Sequence, residues 1–260
     1  MKKKDEYNQS VYESDALAVQ YAQQQPLQPP EETILEIVKR ELAPKRMLDI
    51  GVGGGRTTHH FAALVEEYVG IDYSRAMIAA CESRFRELAN APRFLVADVR
   101  SMPVFADEQF DFVLFSYNGL DYVAGPTRAQ ALAEIRRVLR RGGYFALSGH
   151  NLRSLARRLA WSWSGGAKAM ASRMLWKWHF RRNNPGLRLL ARSGATEVND
   201  GALDFRLRTY YQQPETQVEE LQTAGFREIQ AFRLADGGLI RSERELRENS
   251  EDWLYYLCVR

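Results

Sequence analysis

Four places in this chain of 260 residues combine residue types and spacing that could do chemistry. In residues 47–55, Met-Leu-Asp-Ile-Gly-Val-Gly-Gly-Gly, a short apolar run closes on Asp49 and Ile50, and glycines follow at 51, 53, 54 and 55. Glycines there allow positive φ and let a ligand approach closer than a Cβ would permit, while a following helix offers unpaired N–H groups. That predicts a strand, a tight turn and a helix over residues 56–65 with Phe61, Leu64 and Val65 on one side, and a nucleoside-type cofactor as the ligand. Asp72 ends a second apolar run containing Val69 and Ile71, 21 residues beyond Gly51. At the end of the second strand of a doubly wound fold, such a carboxylate accepts from ribose hydroxyls, and Tyr73 stands beside it. Ser74 is the better cap for the next helix, which carries Met77, Ile78 and Cys81. Asp98 ends a third apolar run, residues 93–99, and His150 ends a fifth, in Ser148-Gly-His-Asn151.

The glycine spacing separates two cofactor classes. The dinucleotide fingerprint is Gly-x-Gly-x-x-Gly, and here the third glycine comes one residue early, at Gly55, with Arg56 where glycine is wanted. Asp49, Gly51, Gly53 and Gly55 instead form an Asp-x-Gly-x-Gly-x-Gly run that resembles motif I of the class I S-adenosylmethionine-dependent methyltransferases. The resemblance implies that Asp98 takes the exocyclic amine of adenine while Val99 packs on the ring. Residues 110–118, Phe-Asp-Phe-Val-Leu-Phe-Ser-Tyr-Asn, look like the family's fourth strand and motif IV, with Ser116 and Asn118 toward the cofactor. Arg141-Gly142-Gly143 stands where the family has Pro-Gly-Gly; the glycines are expected to stop a helix marked by Leu132, Ile135, Val138 and Leu139, before a strand over 144–148. Leu221-x-x-Ala224-Gly225-Phe226 resembles the family's last helix-to-strand corner. The likeness covers residues 31–150 and, with fewer motifs, 212–260. It implies an α/β fold, a doubly wound seven-stranded, mostly parallel Rossmann-like sheet with one antiparallel strand near an edge. It also implies S-adenosylmethionine as cofactor, S-adenosylhomocysteine as product, and methylation at oxygen or nitrogen. No metal is implied, because Asp121 is the one carboxylate near the acceptor side. Two other readings are a nicotinamide-dependent oxidoreductase and a non-catalytic cofactor- or membrane-binding module.

On the acceptor side, Tyr117, Asn118, Asp121 and Tyr122 fall at the carboxyl end of the sheet, where open α/β sheets bind ligands. Methyl transfer is an in-line displacement that needs alignment and exclusion of water, and a base only for some acceptors. For a hydroxyl acceptor, His150 is the catalytic candidate, since imidazole titrates near neutrality and a strand end aims it at the site. Tyr210 and Tyr211 are expected at the pocket wall, and Tyr12 and Tyr21 in an N-terminal arm folded over it. His59 and His60 are adjacent on a helix, point about 100° apart and have no acid or Cys to complete a metal site, so they read as structural.

At 45% hydrophobic, the chain can bury a full core. The expected division is an N-terminal arm or cap over 1–30, a cofactor-binding core over 31–150, a lid or substrate insertion over 151–211, and the C-terminal part of the core sheet over 212–260. The core is expected to open with an amphipathic helix over 31–42. The insertion is basic: residues 135–196 carry fourteen Lys and Arg and no acid, although the whole chain is only +3. Two helices are expected there, over 152–163 and 167–180, bearing Trp161, Trp163, Trp176 and Trp178. Such a pair suits a substrate lid, an anionic membrane surface or an acidic acceptor, whereas no nucleic-acid motif is present. The acceptor is thus expected to be a small molecule or a glycan- or lipid-linked group. A half-exposed strand is expected over 203–211, a charged loop over 241–252, and a seventh strand over 253–259 that closes the sheet. Two cysteines, Cys81 and Cys258, in separate apolar patterns, and an N-terminus without an apolar signal segment suggest a reduced, cytoplasmic setting.

Overall fold

The computed structural model describes residues 26–42, 46–88, 92–123, 125–160, 166–202, 205 and 207–260. Helix α1 (Pro29–Leu42) precedes strand β1 (Arg46–Ile50); Glu31 and Glu32 in its first turn and Lys39 and Arg40 in its last complement its dipole. Its side chains at i and i+4, Ile34 and Val38, are buried. After the glycine turn come a single helical turn α2 (Thr58–Phe61), a 3₁₀ turn (Ala62–Leu64) and strand β2 (Glu67–Asp72), so the helix is shorter than the pattern predicted. Helix α3 (Arg75–Phe85) is capped by Ser74, whose hydroxyl accepts from the Met77 N–H at 3.3 Å, as the sequence indicated. Strands β3 (Arg93–Val96) and β4 (Phe110–Phe115), helix α4 (Arg128–Val138) and the long strand β5 (Leu139–Asn151) complete the first half.

The strands run parallel in the order β3-β2-β1-β4-β5. On the other edge of β5 lies the antiparallel strand β9 (Trp253–Val259), itself paired with the antiparallel neighbour β8 (Arg227–Arg233). Strand β9 is therefore interior, between β5 and β8, rather than the closing edge. Successive residues of β1 and β4 feed opposite faces: Leu48, Val113 and Phe115 join one core cluster, and Met47, Phe112 and Leu114 the other. Helices on both faces make the central strands near-continuous apolar runs.

The glycine pair does something other than stop a helix. Helix α4 ends at Val138, and Gly142 and Gly143 lie inside β5, where pairing jumps from Phe110–Leu139 to Phe112–Tyr144. Gly142 takes φ +72° and donates to the Arg260 carbonyl at 3.1 Å, while a Cβ on Gly143 would meet the Asp111 carbonyl oxygen at 2.8 Å. They form a bulge.

The segment 151–211 contains α5 (Ser154–Leu159), α6 (Gly166–Asn183), α7 (Leu187–Arg192) and a hairpin of β6 (Ala195–Val198) with β7 (Thr209–Gln212). Strand β7 extends the sheet by pairing Tyr211 with His150 and Gln212 with Asn151, which brings the sheet among the described residues to nine strands where seven were expected. The expected strand over 203–211 begins only at Thr209, after Phe205 at φ +63°; Leu203, Asp204 and Arg206 lie outside the described residues, as do Trp161 and Trp163. A third, smaller cluster of Leu152, Leu155, Leu159, Phe180, Leu190, Val198 and Tyr211 holds this insertion. Helix α8 (Pro214–Thr223) returns to the main core. Where a charged loop was expected, α9 (Glu243–Glu248) forms, capped by Ser242 and supported by the i,i+4 pairs Arg244–Glu248 and Arg247–Glu243.

Candidate active site

A cavity of about 620 Å³ opens at the carboxyl ends of β1, β2, β3 and β4. Its floor is the glycine turn, with Gly51 at φ +64° and Gly53 at φ +54°. A Cβ on Gly51 would lie 2.9 Å from the Phe115 ring, so glycine is required both by conformation and by space. The turn is fixed from behind: the Cys81 thiol donates to the Gly53 carbonyl at 2.9 Å, and Arg84 donates to the Gly54 carbonyl at 2.8 Å. Asp72 accepts from the Gly53 N–H at 3.1 Å and the Ser74 N–H at 2.9 Å.

Of the residues proposed from sequence for the cofactor, Asp49, Gly51, Gly53, Asp72, Tyr73, Asp98, Val99, Ser116 and Asn118 line this cavity. Gly55 does not; it turns at φ +80° against Phe85 and Cys81, where a Cβ would clash with the Phe85 ring, so its role is packing. Asp49 is buried beneath the turn, accepting from the Thr57 and Tyr68 hydroxyls. Burial pushes its carboxyl up to about 6 despite those donors. Asp98 is half-exposed; burial opposes its ionised form, but Arg100 donates from both backbone and guanidinium and holds it below the usual carboxylate range.

On the acceptor side, Tyr117, Tyr122 and His150 line the cavity. Asp121 and Tyr211, expected to touch the acceptor, do not: Asp121 is 1% exposed, and Tyr211 is fully buried with its hydroxyl donating to Asp200 at 2.9 Å. Tyr210 also stands off the cavity, under the Arg128 guanidinium at 4.5 Å. Tyr12 and Tyr21 lie outside the described residues. Both misplaced groups instead serve His150. The Asp121 carboxylate accepts from the His150 backbone N–H at 2.7 Å and from Nδ1 at 2.9 Å, and Tyr211 packs its ring 4.7 Å from the imidazole. With the Nδ1 proton held by a carboxylate, Nε2 is the basic nitrogen, and the ring borders the cavity. Asn118, whose Nδ2 lies 3.4 Å from Nε2, sits with Tyr117 in the left-handed region, at φ +60° and φ +52°. Two consecutive non-glycine residues there store strain, which the Asn118 N–H bond to Ser148 Oγ at 2.7 Å helps to hold. The buried Asn118 Oδ1 accepts no hydrogen bond.

Two residues not singled out for the site, Arg56 and Trp253, stand in the wall, and a third, Glu31, holds Arg56 from behind. Glu31 accepts a two-pronged bond from Arg56, with both contacts at 2.6 Å, together with Ser116 and the Tyr255 hydroxyl. Burial opposes its charge, but these donors win and hold it below the usual carboxylate range. Arg56 lies 5.1 Å from the Tyr117 ring, and Trp253 faces both Tyr117 and His150. Arg56 and Trp253 line the cavity. Glu31 had only the signature of a helix-dipole complement, and Arg56 that of a departure from a fingerprint.

A family profile described as "Methyltransferase domain" matches residues 48–147, from β1 into β5. An uncharacterized methyltransferase, YcgJ, of Bacillus subtilis is 32% identical over 109 residues, 42% of this chain and 42% of that protein. Phthiotriol/phenolphthiotriol dimycocerosates methyltransferase 1 of Mycobacterium ulcerans is 36% identical over 108 residues, 40% of this chain and 37% of the relative. The similarity thus spans less than half the length of these curated relatives. Among solved structures, an S-adenosylmethionine-dependent methyltransferase from Mesorhizobium loti aligns at TM-score 0.60 and 20% identity, over 89% of this chain and 98% of that one. A 1,6-didemethyltoxoflavin-N1-methyltransferase from Burkholderia thailandensis, with bound 1,6-didemethyltoxoflavin and S-adenosylhomocysteine, aligns at TM-score 0.55 and 15% identity, over 90% and 79% of the two chains. The structural likeness speaks to fold, and the matched domain falls on the strands and turns that build the cavity. Residues 48–147 thus match a methyltransferase domain, within a chain that has the fold of the class I S-adenosylmethionine-dependent methyltransferases.

Proposed function

We propose that this protein binds S-adenosylmethionine in the cavity and transfers its methyl group to a hydroxyl of a small-molecule or lipid-linked acceptor. The observation that carries the oxygen assignment is the Asp121–His150 pair at the cavity wall. The cradle fits the cofactor: a turn without Cβ atoms at Gly51 and Gly53, the Asp72 carboxylate on the cavity wall, and the unpaired acceptor Asn118 Oδ1, which suits an ammonium donor. When bound, the cofactor supplies an electrophilic methyl on a sulfonium. Asp72 would hold the ribose, Asp98 the adenine amine and Asn118 the methionine part. Phe115, Val99 and Met77 exclude water around them. His150 Nε2 takes the acceptor proton, Asp121 keeps the ring in the reactive tautomer, and Tyr211 and Trp253 fix its plane. The Mycobacterium ulcerans relative, named for phthiotriol/phenolphthiotriol dimycocerosates, supports the lipid-linked option.

The test combines calorimetry with turnover on hydroxylated acceptors. His150→Ala should leave S-adenosylhomocysteine affinity within about twofold and lower kcat on the order of 10²–10⁴-fold, the usual contribution of a positioned base. A variant with full activity across pH would rule out His150 as the base, and failure to bind S-adenosylhomocysteine in the wild type would rule out the cofactor reading. Asp72→Ala should weaken cofactor binding by about 1–3 kcal/mol through loss of a charged acceptor.

A further inference from the structure

Helix α6 (Gly166–Asn183) is apolar on two opposite sides. Its inner side carries Trp176 and Phe180, which pack into the third cluster, and the Trp176 indole N–H donates to the Asp200 carbonyl at 3.0 Å. At 100° per residue, Met174, Leu175 and Trp178 fall together on the opposite side, and they are 54%, 58% and 54% exposed. Cations frame them: Lys168, Arg181 and Arg182 are exposed, and the Arg182 guanidinium lies 5.4 Å from the Trp178 ring. A helix on the surface of a globular protein normally turns a polar face outward, and among the described residues nothing covers this one.

The charge pattern selects that partner. No acidic residue occurs between Ile135 and Thr196, and fourteen Lys and Arg do. A second copy of the chain would set the same cations against each other. An anionic lipid surface takes the apolar ridge below its headgroups and pairs the flanking cations with phosphates, the geometry in which Arg and Lys keep their heads in water. With no helix among the described residues long and apolar enough to cross a membrane, α6 would lie on the surface rather than span it. We propose that the outer face of α6 docks this protein on an anionic lipid bilayer. The inner face of the same helix shares a cluster with Tyr211, whose ring lies 4.7 Å from His150, so the docking helix backs the wall that positions the base. This inference stands whether or not a methyl group is transferred.

Flotation of the full chain with vesicles tests it, using phosphatidylcholine alone and phosphatidylcholine mixed with phosphatidylglycerol, whose negative surface attracts basic residues. Expected is binding to the anionic vesicles only, weakening steeply with salt. Arg181→Gln with Arg182→Gln should lower partitioning by about 25-fold, the product of two roughly fivefold losses at about 1 kcal/mol per basic residue. Met174→Ser with Leu175→Ser and Trp178→Ser should abolish it, while S-adenosylhomocysteine binding and the thermal midpoint stay at wild-type values. Equal binding to both vesicle types, or wild-type partitioning by either variant, would overturn the proposal. So would a protein that ignores both vesicles and instead self-associates in sedimentation velocity through these side chains.

Discussion

Asp49 is 2% exposed and accepts from two neutral hydroxyls, so burial outweighs them and its carboxyl rises from 3.8 to about 6. A folded-state value above the unfolded one means that the folded chain holds this proton more tightly. Its stabilising contribution is complete below pH ~4 and is lost as pH rises through ~6, about 3 kcal/mol in all. Asp49→Asn keeps an acceptor for Tyr68 and cannot ionise. Its stability relative to wild type should therefore grow by up to about 3 kcal/mol between pH 4 and 7.5 in urea melts, and a flat difference would mean that Asp49 titrates normally. Glu31 runs the other way. Its folded value is lowered, so its contribution is present above the ordinary carboxylate range and is lost as pH falls through the folded value. Glu31→Gln leaves Arg56, whose side chain is 13% exposed, without its counter-charge and should cost about 3–5 kcal/mol at pH 7, shrinking toward acid; a change under ~1 kcal/mol would show that Arg56 finds water instead. The contrast also explains what was legible. The placement of Asp72 and His150 at the cavity was readable because type and strand-end position travel together along the chain. Glu31 reaches Ser116 across 85 residues and Tyr255 across 224, and no local pattern announces such a meeting.

At the scale of elements, the central strands were readable because burial on both faces leaves a near-continuous apolar run, and α3 because its cap and its buried positions agree. The glycine pair at 142–143 was not, since a glycine after a helical pattern signals equally a helix stop or a strand irregularity. Strands β6 and β7 are four residues each and lack a two-residue turn, and they owe their pairing to the end of β5. The bulge assignment has a thermodynamic signature. Gly142→Ala puts a side chain at φ +72° with nothing within 4 Å, a cost of about 1–2 kcal/mol from backbone strain alone. Gly143→Ala drives a Cβ to 2.8 Å from the Asp111 carbonyl and 3.0 Å from the Arg140 carbonyl, backbone atoms that cannot swing away, for roughly 2–3 kcal/mol. Denaturant melts of the two variants should rank in that order. The reverse ranking would return Gly143 to a role at a helix end.

At the scale of the whole fold, three apolar clusters among the described residues divide the labour. Two large ones sandwich the central strands, and the third, of seven buried side chains, holds the insertion to the carboxyl end of β5. Polar ties cross the same boundary. Arg128, 1% exposed, bonds Asp121 at 3.1 Å, the Leu120 carbonyl at 2.9 Å and Glu220 on α8 at 2.9 Å, and its guanidinium lies 4.5 Å from the Tyr210 ring, so the loop that carries the His150 partner is tied both to the main core and to β7. His150 itself sits where the two meet, held by Asp121 on one side and by the Tyr211 ring on the other. A unit with a small apolar cluster opens at lower free energy than the core it leans on. Native-state hydrogen exchange should therefore show amides of α5, α6 and β6 exchanging as a group well before those of β1, β4 and β5. Because Tyr211 belongs to the insertion while Asp121 belongs to the core, filling the cavity on the acceptor side should slow exchange in the insertion more than in β1. Slowing confined to the glycine turn and β1, with the insertion unchanged, would mean that the insertion takes no part in closing the site.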